Sequence, residues 1–452
     1  MSSRRRQLIV SVLACSVFAL ASCSSATKTP VATKTVTPTG PVLLTFAVYG
    51  PPQVITAYTK IAADYHAAHP GTVVNVRPFD THAEAVAALQ KSVADGNPPD
   101  LFLADRSDLP TLQKDNVIQR VDDLLVDRKV DFGDGYQRDG LEAFSSDSSL
   151  LCMPTDVSPM VVFYNTNLVD LTTLAGPGAP PVTAQKGWTM DLFTKAAQLA
   201  SKGQNRGVYV APDLEQVAPF IWSGGGDIVD SVTKPSSLTL AGGSSESSLE
   251  KLLELVRNPA YTFSQQQIAK TSALQRFKAG HLAMILGYHN LIPQLRAQQN
   301  LNFDVMPLPR IGSPATSSEM AGLCISKASQ QTEKTANFLA YVVSDAAQQI
   351  LAETGYVMPS NLDVVNSDDF LQPGQMPINS SIFSAQIRTS RPLPDVDAWP
   401  KVNAAASNWL TQLFYLPVID PLDDRLKAYD TASALLFNPA TATPSPTETP
   451  SP

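Results

Sequence analysis

The residues that could perform catalysis or bind a metal do not form a recognisable catalytic pattern in this sequence. His66 and His69 are three positions apart, but His69 directly precedes Pro70 at the predicted end of a helix. Asp122-Asp123 and Asp423-Asp424 are adjacent pairs, and adjacent side chains point in different directions on any regular element. Facing carboxylates of the glycosidase kind have no sequence signature, and nothing here indicates them. No nucleophile elbow, phosphate-binding loop or zinc-protease helix is present, so we expect a protein that is not an enzyme and uses no metal or cofactor.

The N-terminal residues have the pattern of an export signal. Arg4, Arg5 and Arg6 precede a mostly apolar stretch from Leu8 to Leu20, which is too short for a membrane span of about 20 apolar residues. The segment ends in Leu20-Ala21-Ser22-Cys23, which resembles the lipobox of bacterial lipoproteins, whose cysteine is lipidated. The pattern predicts a signal peptide over 1–22. It also predicts a chain anchored by lipid at Cys23 on the extracytoplasmic face of the cell membrane, either periplasmic or at the cell surface.

Two segments rich in Ser, Thr and Pro border a long body of ordinary composition. Residues 23–41 are predicted to be an extended tether and residues 439–452 a disordered tail, because neither has an apolar face to bury. About 400 residues remain between them, enough for two domains with their own cores. The formal net charge is -8 and becomes more negative when the signal arginines are removed, so nucleic acid is a poor partner.

Short strands alternate with helices, which predicts an α/β fold with a parallel sheet and ligand groups at the carboxyl ends of its strands. The predicted strands are 42–48, 72–79, 100–104, 161–164, 208–210, 282–286, 303–306 and 322–326. The predicted helices cover 54–65, 83–94 and 190–201, with others beginning at 109 and ending near 277. A single long amphipathic helix is predicted around Leu339 to Ile350.

Several motifs between Leu43 and Leu436, individually weak, together resemble one family. They are Ala62–Gly71 before a Val-rich strand, Pro98–Leu103, Met153–Asp156 running to Phe163–Asn165, Gly187–Thr189, Gly224–Asp227, Phe277–Gly280 before Ala283-Met284, Ala321-Gly322 and Gly355–Pro359. Their order is similar to that in the maltose-binding-protein-like group, family 1 of the extracellular solute-binding proteins of ABC importers.

The resemblance implies a two-lobe periplasmic-binding-protein fold, type II-like, with a ligand cleft between lobes that hinge strands join. Lobe 1 would contain 42–153 plus 308–354, and lobe 2 would contain 154–307 plus 355–438. Cys152 and Cys324 are the two cysteines of the body, and from the residues alone they are either free buried thiols or a disulfide. The family fold places their strands side by side near the hinge, which favours the disulfide, provided the Cα atoms lie within about 7 Å.

By position in that fold, ten residues are candidates for contact with a sugar, which needs planar polar groups for its hydroxyls and aromatic platforms for its ring faces. They are Tyr49, Asp105, Arg106, Asp156, Ser158, Glu215, Trp222, Tyr288, His289 and Trp399. Tyr288-His289 occupies a turn where many relatives carry tryptophan, which puts the particular sugar in doubt.

Each candidate also has an ordinary structural role open to it. Asp105 could cap the following helix, and Arg106 could pair with a surface carboxylate. Ser158, like Asp156 and Glu215, could satisfy backbone groups at turns. The aromatic candidates and His289 could belong to the cores, as half-buried or fully buried side chains.

The function implied is that of a lipid-anchored, monomeric receptor whose cleft closes on a carbohydrate and delivers it to the permease subunits of an ABC importer. One alternative is the same fold with a peptide, polyamine, metal chelate or phosphorylated polyol as ligand, and basic residues in the cleft would indicate an anion. The other alternative is a surface lipoprotein that serves as an interaction module, which a cleft filled with apolar side chains would favour.

Overall fold

The computed structural model describes residues 40–176, 178–418 and 421–438. The predicted signal peptide, the lipidated Cys23, nearly all of the tether and the C-terminal tail lie outside these residues. None of the helices in the described ranges combines the length and the apolar character of a membrane span.

The described residues form eleven strands and eighteen α-helices. The strands are β1 Val42–Tyr49, β2 Thr72–Phe79, β3 Leu101–Asp105, β4 Ser145–Ser146, β5 Ser149–Leu150, β6 Met153–Pro159, β7 Val161–Asn165, β8 Arg206–Tyr209, β9 Leu282–Gly287, β10 Phe303–Met306 and β11 Ser318–Ile325. The helices are α1 Pro52–Ala68, α2 His82–Ala94, α3 Leu109–Lys114, α4 Asp122–Val126, α5 Arg138–Ala143, α6 Met190–Ala200, α7 Leu214–Ser223, α8 Gly243–Val256, α9 Gln265–Lys270, α10 Ala273–Lys278, α11 Ile292–Arg296, α12 Thr332–Val342, α13 Asp345–Ala352, α14 Leu362–Val365, α15 Asp368–Leu371, α16 Ser381–Gln386, α17 Trp399–Tyr415 and α18 Leu422–Phe437. Short 3-10 turns occupy Arg106–Asp108, Leu171–Thr173, His289–Leu291 and Ile387–Thr389.

Two separate sheets organise the molecule into two lobes, as the α/β pattern and the family resemblance predict. The sheet of lobe 1 has the order β2-β1-β3-β11-β6, with β1 parallel to β2 and β3 and with β11 antiparallel to its neighbours. The sheet of lobe 2 has the order β10-β7-β9-β8, and only β8 and β9 are parallel. The expected parallel pairing is therefore limited to β1–β3 and to the β8–β9 pair, and the two-lobe α/β fold is confirmed.

Each sheet buries its own hydrophobic core. In lobe 1 the buried residues of β1 alternate, and Phe46 packs edge-on against Tyr58 of α1 and Phe338 of α12, with ring centroids 5.3 and 5.4 Å apart. In lobe 2 every residue of β7 and β9 is buried, because helices cover both faces of the central strands. This difference explains why β1 alternates while the second-lobe strands are continuous apolar runs.

The two lobes are joined where β6 and β11 pair in antiparallel fashion. One residue, Met160, separates β6 from β7 of the other sheet, and its N–H donates to the Ser317 carbonyl over 2.8 Å. The pairing shifts register between Ala321 and Gly322, which makes a bulge at the crossing. A Cβ atom at Gly322 would lie 2.9 Å from the Phe144 ring, so only glycine fits there without displacing it.

The return crossing lies later in the chain than the predicted lobe boundary at residue 308. Leu308 and Ala315 pack in the core of lobe 2. The backbone between them is bound to that lobe, since the Met190 N–H donates to the Arg310 carbonyl over 2.9 Å. Residues 308–317 therefore belong with lobe 2, because the Pro307–Pro309 break ends a strand without ending the lobe.

The single long helix predicted around Leu339 to Ile350 is two helices. α12 ends at Val342, and Ser344 adopts extended angles (φ -66°, ψ 157°) before α13 begins at Asp345. The hydroxyl of Tyr136 donates to the Val343 carbonyl over 2.7 Å, which satisfies an acceptor that the break exposes. Apolar periodicity continues through the break, because both helices face the same core.

Cys152 and Cys324 form a disulfide between the start of β6 and β11, with Cα atoms 4.4 Å apart. Both residues are fully buried in the lobe 1 core, beside the crossing. The bond joins positions 172 residues apart in the chain, and the loop that it closes contains most of lobe 2.

Replacing both cysteines by alanine should lower the free energy of unfolding by about 2–5 kcal/mol, because the unfolded chain regains the freedom that the long loop removes. Urea unfolding followed by circular dichroism measures the change. Wild-type protein held in strong reductant is the matched control, since it loses the covalent bond and keeps both sulfur atoms. Equal stability of the oxidised and reduced wild type would contradict the expectation.

Candidate ligand-binding cleft

A cavity of about 880 Å³ lies between the two lobes. Its wall combines the ends of lobe 1 strands, the crossing strands β6 and β11, and the N-terminal turns of lobe 2 helices α7 and α17. Pockets for small organic ligands have volumes of about 300–1,000 Å³, so the cavity is large enough for an oligosaccharide or a molecule of similar size.

The lobe 1 side of the cavity is formed where two parallel strands end. Tyr49 is the last residue of β1 and Asp105 the last residue of β3, and the carboxyl ends of parallel strands meet at one edge of a sheet. The Tyr49 hydroxyl donates a hydrogen bond to the Asp105 carboxylate. Burial, with the charge of Asp105 beside it, raises the pKa of Tyr49 well above its ordinary value, so the hydroxyl keeps its proton as a donor.

His82 lies next to this pair and contacts two carboxylates. Its Nε2 is 2.8 Å from Asp108 Oδ2, and its Nδ1 is 3.5 Å from Asp105 Oδ2. The hydrogen bond with Asp108 raises the pKa of His82, while burial raises the pKa of Asp105. The Asp105 backbone N–H also donates to Asp108 over 2.9 Å, which fixes the turn that follows β3. Asp105 thus caps this turn and faces the cavity at the same time.

The floor of the cavity carries two carboxyl groups on one face of the crossing strands. Ser158 of β6 is opposite Glu319 of β11, and Asp156 is opposite Ala321. Side chains two apart along a strand share a face, so Asp156 and Glu319 project on the same side. Met358 N–H donates to Asp156 over 3.0 Å.

Both floor carboxyl groups have strongly raised pKa values. Burial raises the pKa of Asp156 to about 7, and the negative charge of Asp105 adds to the effect. Burial raises the pKa of Glu319 to about 8, with further contributions from Glu215, Asp156 and Asp105. The Glu319 side chain is also exposed to solvent, which screens this repulsion.

The lobe 2 side contributes a carboxylate and a large aromatic ring. Glu215 is in the first turn of α7, which Asp213 caps by accepting from the Gln216 N–H over 2.8 Å. The hydroxyl of Tyr288 donates to Glu215 and holds it from behind. Trp399 begins α17 and presents only 8% of its surface, at the cavity wall.

Two arginines line the cavity, and carboxylates already engage both. Arg106 donates to the Leu393 carbonyl over 3.2 Å and lies 3.6 Å from Asp395, whose pKa burial raises to about 6. Arg391 contacts Asp227 over 2.6 Å, and its guanidinium carbon lies 5.1 Å from the centre of the Trp222 ring. Neither guanidinium group is left without a negative partner.

The structure brings six of the ten predicted contact residues to the cavity wall and leaves four away from it. The six are Tyr49, Asp105, Arg106, Asp156, Glu215 and Trp399. The four are Ser158, Trp222, Tyr288 and His289, all of which are buried. Tyr288 still affects the cavity, because its hydroxyl donates a hydrogen bond to Glu215, which lines the wall.

The other three buried candidates have partners inside the protein. The Ser158 hydroxyl accepts from the His289 N–H over 2.9 Å. The His289 ring stacks on Phe370 with centroids 4.7 Å apart, and burial lowers its pKa to about 3, so the ring is neutral in the core. The Trp222 indole donates to Asp227 over 3.1 Å. These contacts are the ordinary structural roles that the sequence analysis gave as alternatives to ligand contact.

The cavity wall also carries polar residues that sequence reasoning missed, among them Glu319, Asn290, Asp395 and Arg391. Glu319 lies three positions before the predicted start of its strand at Gly322, so the sequence pattern did not assign it to a face of β11. A strand that begins at residue 318 would have placed it on the face of Ala321. Asp395 and Arg391 are in an irregular segment that carries no periodic signal.

The carboxyl groups do not form a metal site. Among the described residues, no group of three or more His, Cys, Asp or Glu side chains is arranged to hold a metal ion. The acidic groups are therefore spread along the cavity rather than focused on one point.

Comparison with known families assigns the chain. Residues 60–378 match the family described as bacterial extracellular solute-binding protein. The chain belongs to this family. The cavity of this solute-binding protein lies between its two lobes, where the family resemblance predicts the ligand cleft. No protein with a curated description matches the chain in sequence.

Solved structures with low sequence identity share the fold over most of the chain. The sugar-binding protein MalE from Xanthomonas citri is 15% identical, with a TM-score of 0.75 over 88% of this chain and 98% of that one. The ABC substrate-binding protein Lmo0181 from Listeria monocytogenes, in complex with cycloalternan, is 17% identical, with a TM-score of 0.73 over 88% and 99%. The GacH receptor of Streptomyces glaucescens is 16% identical, with a TM-score of 0.70 over 88% and 98%. These likenesses show the same two-lobe architecture.

The raised pKa of Asp156 predicts a pH-dependent stability. Because its pKa rises from 3.8 to about 7 on folding, the native state binds the proton more tightly, and stability falls as the pH rises from about 4 to about 7. Asp156→Asn stays neutral and keeps an acceptor for Met358. We expect the free energy of unfolding of the variant to equal that of wild type near pH 4 and to be about 2 kcal/mol higher at pH 8. The full effect would be about 1.4 kcal/mol for each unit of pKa shift, and solvent in the cleft reduces it. Urea unfolding at several pH values measures this difference.

Asp170→Asn is the control for this experiment. Hydrogen bonds from Thr172 lower the pKa of the exposed Asp170, so its ionised form stabilises the native state. This contribution to stability is fully present above the ordinary pKa of 3.8 and is lost as the pH falls, which is opposite to the behaviour of Asp156. A wild-type advantage over Asp156→Asn that grows with pH would contradict the expectation for Asp156.

Proposed function

We propose that this solute-binding protein is lipid-anchored outside the cytoplasm and delivers a carbohydrate to the permease of an ABC importer. The observation that carries the proposal is the cavity of about 880 Å³ between the lobes, whose wall combines aromatic rings with carboxylates. The proposal has no catalytic step, since the ligand is bound and released unchanged.

The composition of the wall suits a sugar. Tyr49, Tyr356 and Trp399 line the cavity and can pack on the apolar faces of sugar rings, while Tyr58 supports the wall from the lobe 1 core. Carboxylates accept hydrogen bonds from sugar hydroxyls with more strength than neutral acceptors do. The similar proteins of known structure include complexes with cycloalternan, acarbose and maltose, which supports the same ligand class here.

The mechanism that we propose is closure of the lobes on the ligand. Tyr49 and Asp105 lie on the lobe 1 side, and Glu215 and Trp399 on the lobe 2 side. A ligand that contacts both sides at once only in the closed form has a higher affinity for that form and shifts the population towards it. The permease subunits would then recognise the closed form, and a separate subunit would hydrolyse ATP.

The anchor and the assembly complete the proposal. The lipobox-like sequence that ends at Cys23 supports attachment to the extracytoplasmic face of the membrane, and the segment 23–41 supports a tether that holds the lobes away from it. Both lobes and the cavity are complete in one chain, which supports a monomeric receptor.

A thermal-shift screen tests the ligand class. Protein that lacks residues 1–22 and carries Cys23→Ser should melt at a higher temperature with one class of mono- or oligosaccharide. A ligand that binds only the native state adds about 2.7 kcal/mol of stability at a hundredfold excess over Kd. Amino acids, polyamines and polyols are the comparison ligands. A response to one of these and to no sugar would keep the receptor role and overturn the carbohydrate, while no response to any solute would favour an interaction module.

A pair of tryptophan variants tests whether the cavity is the binding site. Trp399→Ala should weaken binding of the sugar found in the screen by about tenfold or more, which is about 1.4 kcal/mol, because an aromatic platform is lost. Trp409→Ala is the matched control on the same helix, since Trp409 stacks on Tyr429 away from the cavity, with centroids 5.1 Å apart. Titration calorimetry measures both affinities, and equal losses in the two variants would count against the cavity.

A further inference from the structure

The cavity wall carries an excess of negative charge that a neutral ligand would leave uncompensated. Among the described residues, seven carboxyl groups and two guanidinium groups line it, and no lysine does. The two guanidinium groups, of Arg106 and Arg391, are engaged with Asp395 and Asp227. The remaining carboxyl groups therefore outnumber the positively charged groups that could face a ligand.

Four of the carboxyl groups form a cluster that is electrostatically coupled through Glu319. They are Asp105, Asp156, Glu215 and Glu319, which come from lobe 1, the two crossing strands and lobe 2. The charges of the other three each raise the pKa of Glu319, and the charge of Asp105 also raises the pKa of Asp156, so Glu319 lies within electrostatic range of all three. We call these residues the acidic quartet.

The hydrogen-bond partners of the acidic quartet are neutral groups. The donors are the hydroxyls of Tyr49 and Tyr288, the amide of Asn290 and the Met358 N–H. No Lys or Arg in the described part of the chain forms an ion pair with any of the four. The nearest titratable base is His82, which lies 3.5 Å from Asp105 but has its shorter contact, 2.8 Å, with Asp108. Among the described residues, Asp156, Glu215 and Glu319 therefore have no positively charged partner, and Asp105 shares the His82 ring with Asp108.

We propose that the cleft selects a carbohydrate that carries at least one protonated amine, held by Glu319, Glu215 and Asp156. The inference rests on the proposed function and names the ligand class within it. A neutral sugar that fills the cleft would expel water from the quartet, so its carboxyl groups would either repel one another more strongly or take up protons, in keeping with the raised pKa values of Asp156 and Glu319. An ammonium group removes this cost, because it supplies a positive charge and three hydrogen-bond donors.

The arrangement favours an organic cation over a metal ion. The quartet is spread along the wall, and no set of three acidic side chains among the described residues is close enough to hold a metal. The aromatic lining favours a sugar over a linear polyamine, because Tyr49, Tyr356 and Trp399 offer aromatic surface to ring-shaped groups at the cavity wall.

Titration calorimetry with three probes tests the proposal. The probes are a trisaccharide of glucosamine, the same trisaccharide fully N-acetylated, and spermidine, each measured at pH 7 on protein without residues 1–22 and with Cys23→Ser. The glucosamine trisaccharide should bind at least about tenfold more tightly than its acetylated form, because only its amines carry charge. This preference should shrink as the ionic strength is raised, since salt screens the attraction.

Glu319→Gln tests the residue assignment. The variant keeps the size and hydrogen-bonding capacity of the side chain and should lower the affinity for the glucosamine trisaccharide about tenfold, while the affinity for the acetylated form falls less than about twofold. Glu333→Gln is the control, because Glu333 is 78% exposed and pairs with Arg128 far from the cavity wall. Equal losses for both trisaccharides in Glu319→Gln would overturn the role of its charge.

The outcomes separate this inference from the proposed function. Equal affinity of wild type for the two trisaccharides, or binding of neutral sugars alone, would overturn the amine and keep the carbohydrate receptor. Binding of spermidine without either trisaccharide would overturn the carbohydrate, and with it this inference. No binding of these probes or of any sugar would overturn both.

Discussion

The antiparallel pairing of β6 with β11 is the interaction on which the rest of the molecule depends. It forms one edge of the lobe 1 sheet, and each of the two strands connects directly to lobe 2. A chain that crosses between two buried cores must satisfy its backbone polar groups, and here each crossing strand does so for the other. The disulfide between Cys152 and Cys324 fastens the same pair at its lobe 1 end. Where lobe 1 stops and lobe 2 begins is therefore decided by this ladder rather than by a flexible linker.

The register of this pairing also decides the chemistry of the cleft. It places Asp156 and Glu319 on one face, at the place where the ends of β1 and β3 and the start of α7 already bring Asp105 and Glu215. A slip of one residue would turn Asp156 away from the cavity and Val157 towards it. The acidity of the site thus depends on the alignment of these two strands.

Local patterns in the sequence predicted most of the helices and strands. The positions of side chains that depend on pairing between distant strands could not be predicted in this way. The strands Thr72–Phe79 and Phe303–Met306 have the predicted bounds, because turn residues and apolar runs mark both ends. The break at Ser344 was missed, since the apolar period continues through it. Tyr49 and Asp105 could be placed because they follow parallel strands. Glu319 could not, because its position on the cleft floor depends on a partner strand about 160 residues earlier.

The acidic quartet has a consequence for the protein when it carries nothing. Carboxylates that face one another across the cavity repel, so they favour a more open arrangement of the lobes until a positively charged group binds between them. On the proposed function, the empty protein would then rest open and would seldom resemble its loaded form. A positively charged ligand would relieve this same repulsion when it binds. The four side chains would therefore determine both the conformation of the empty protein and its choice of ligand.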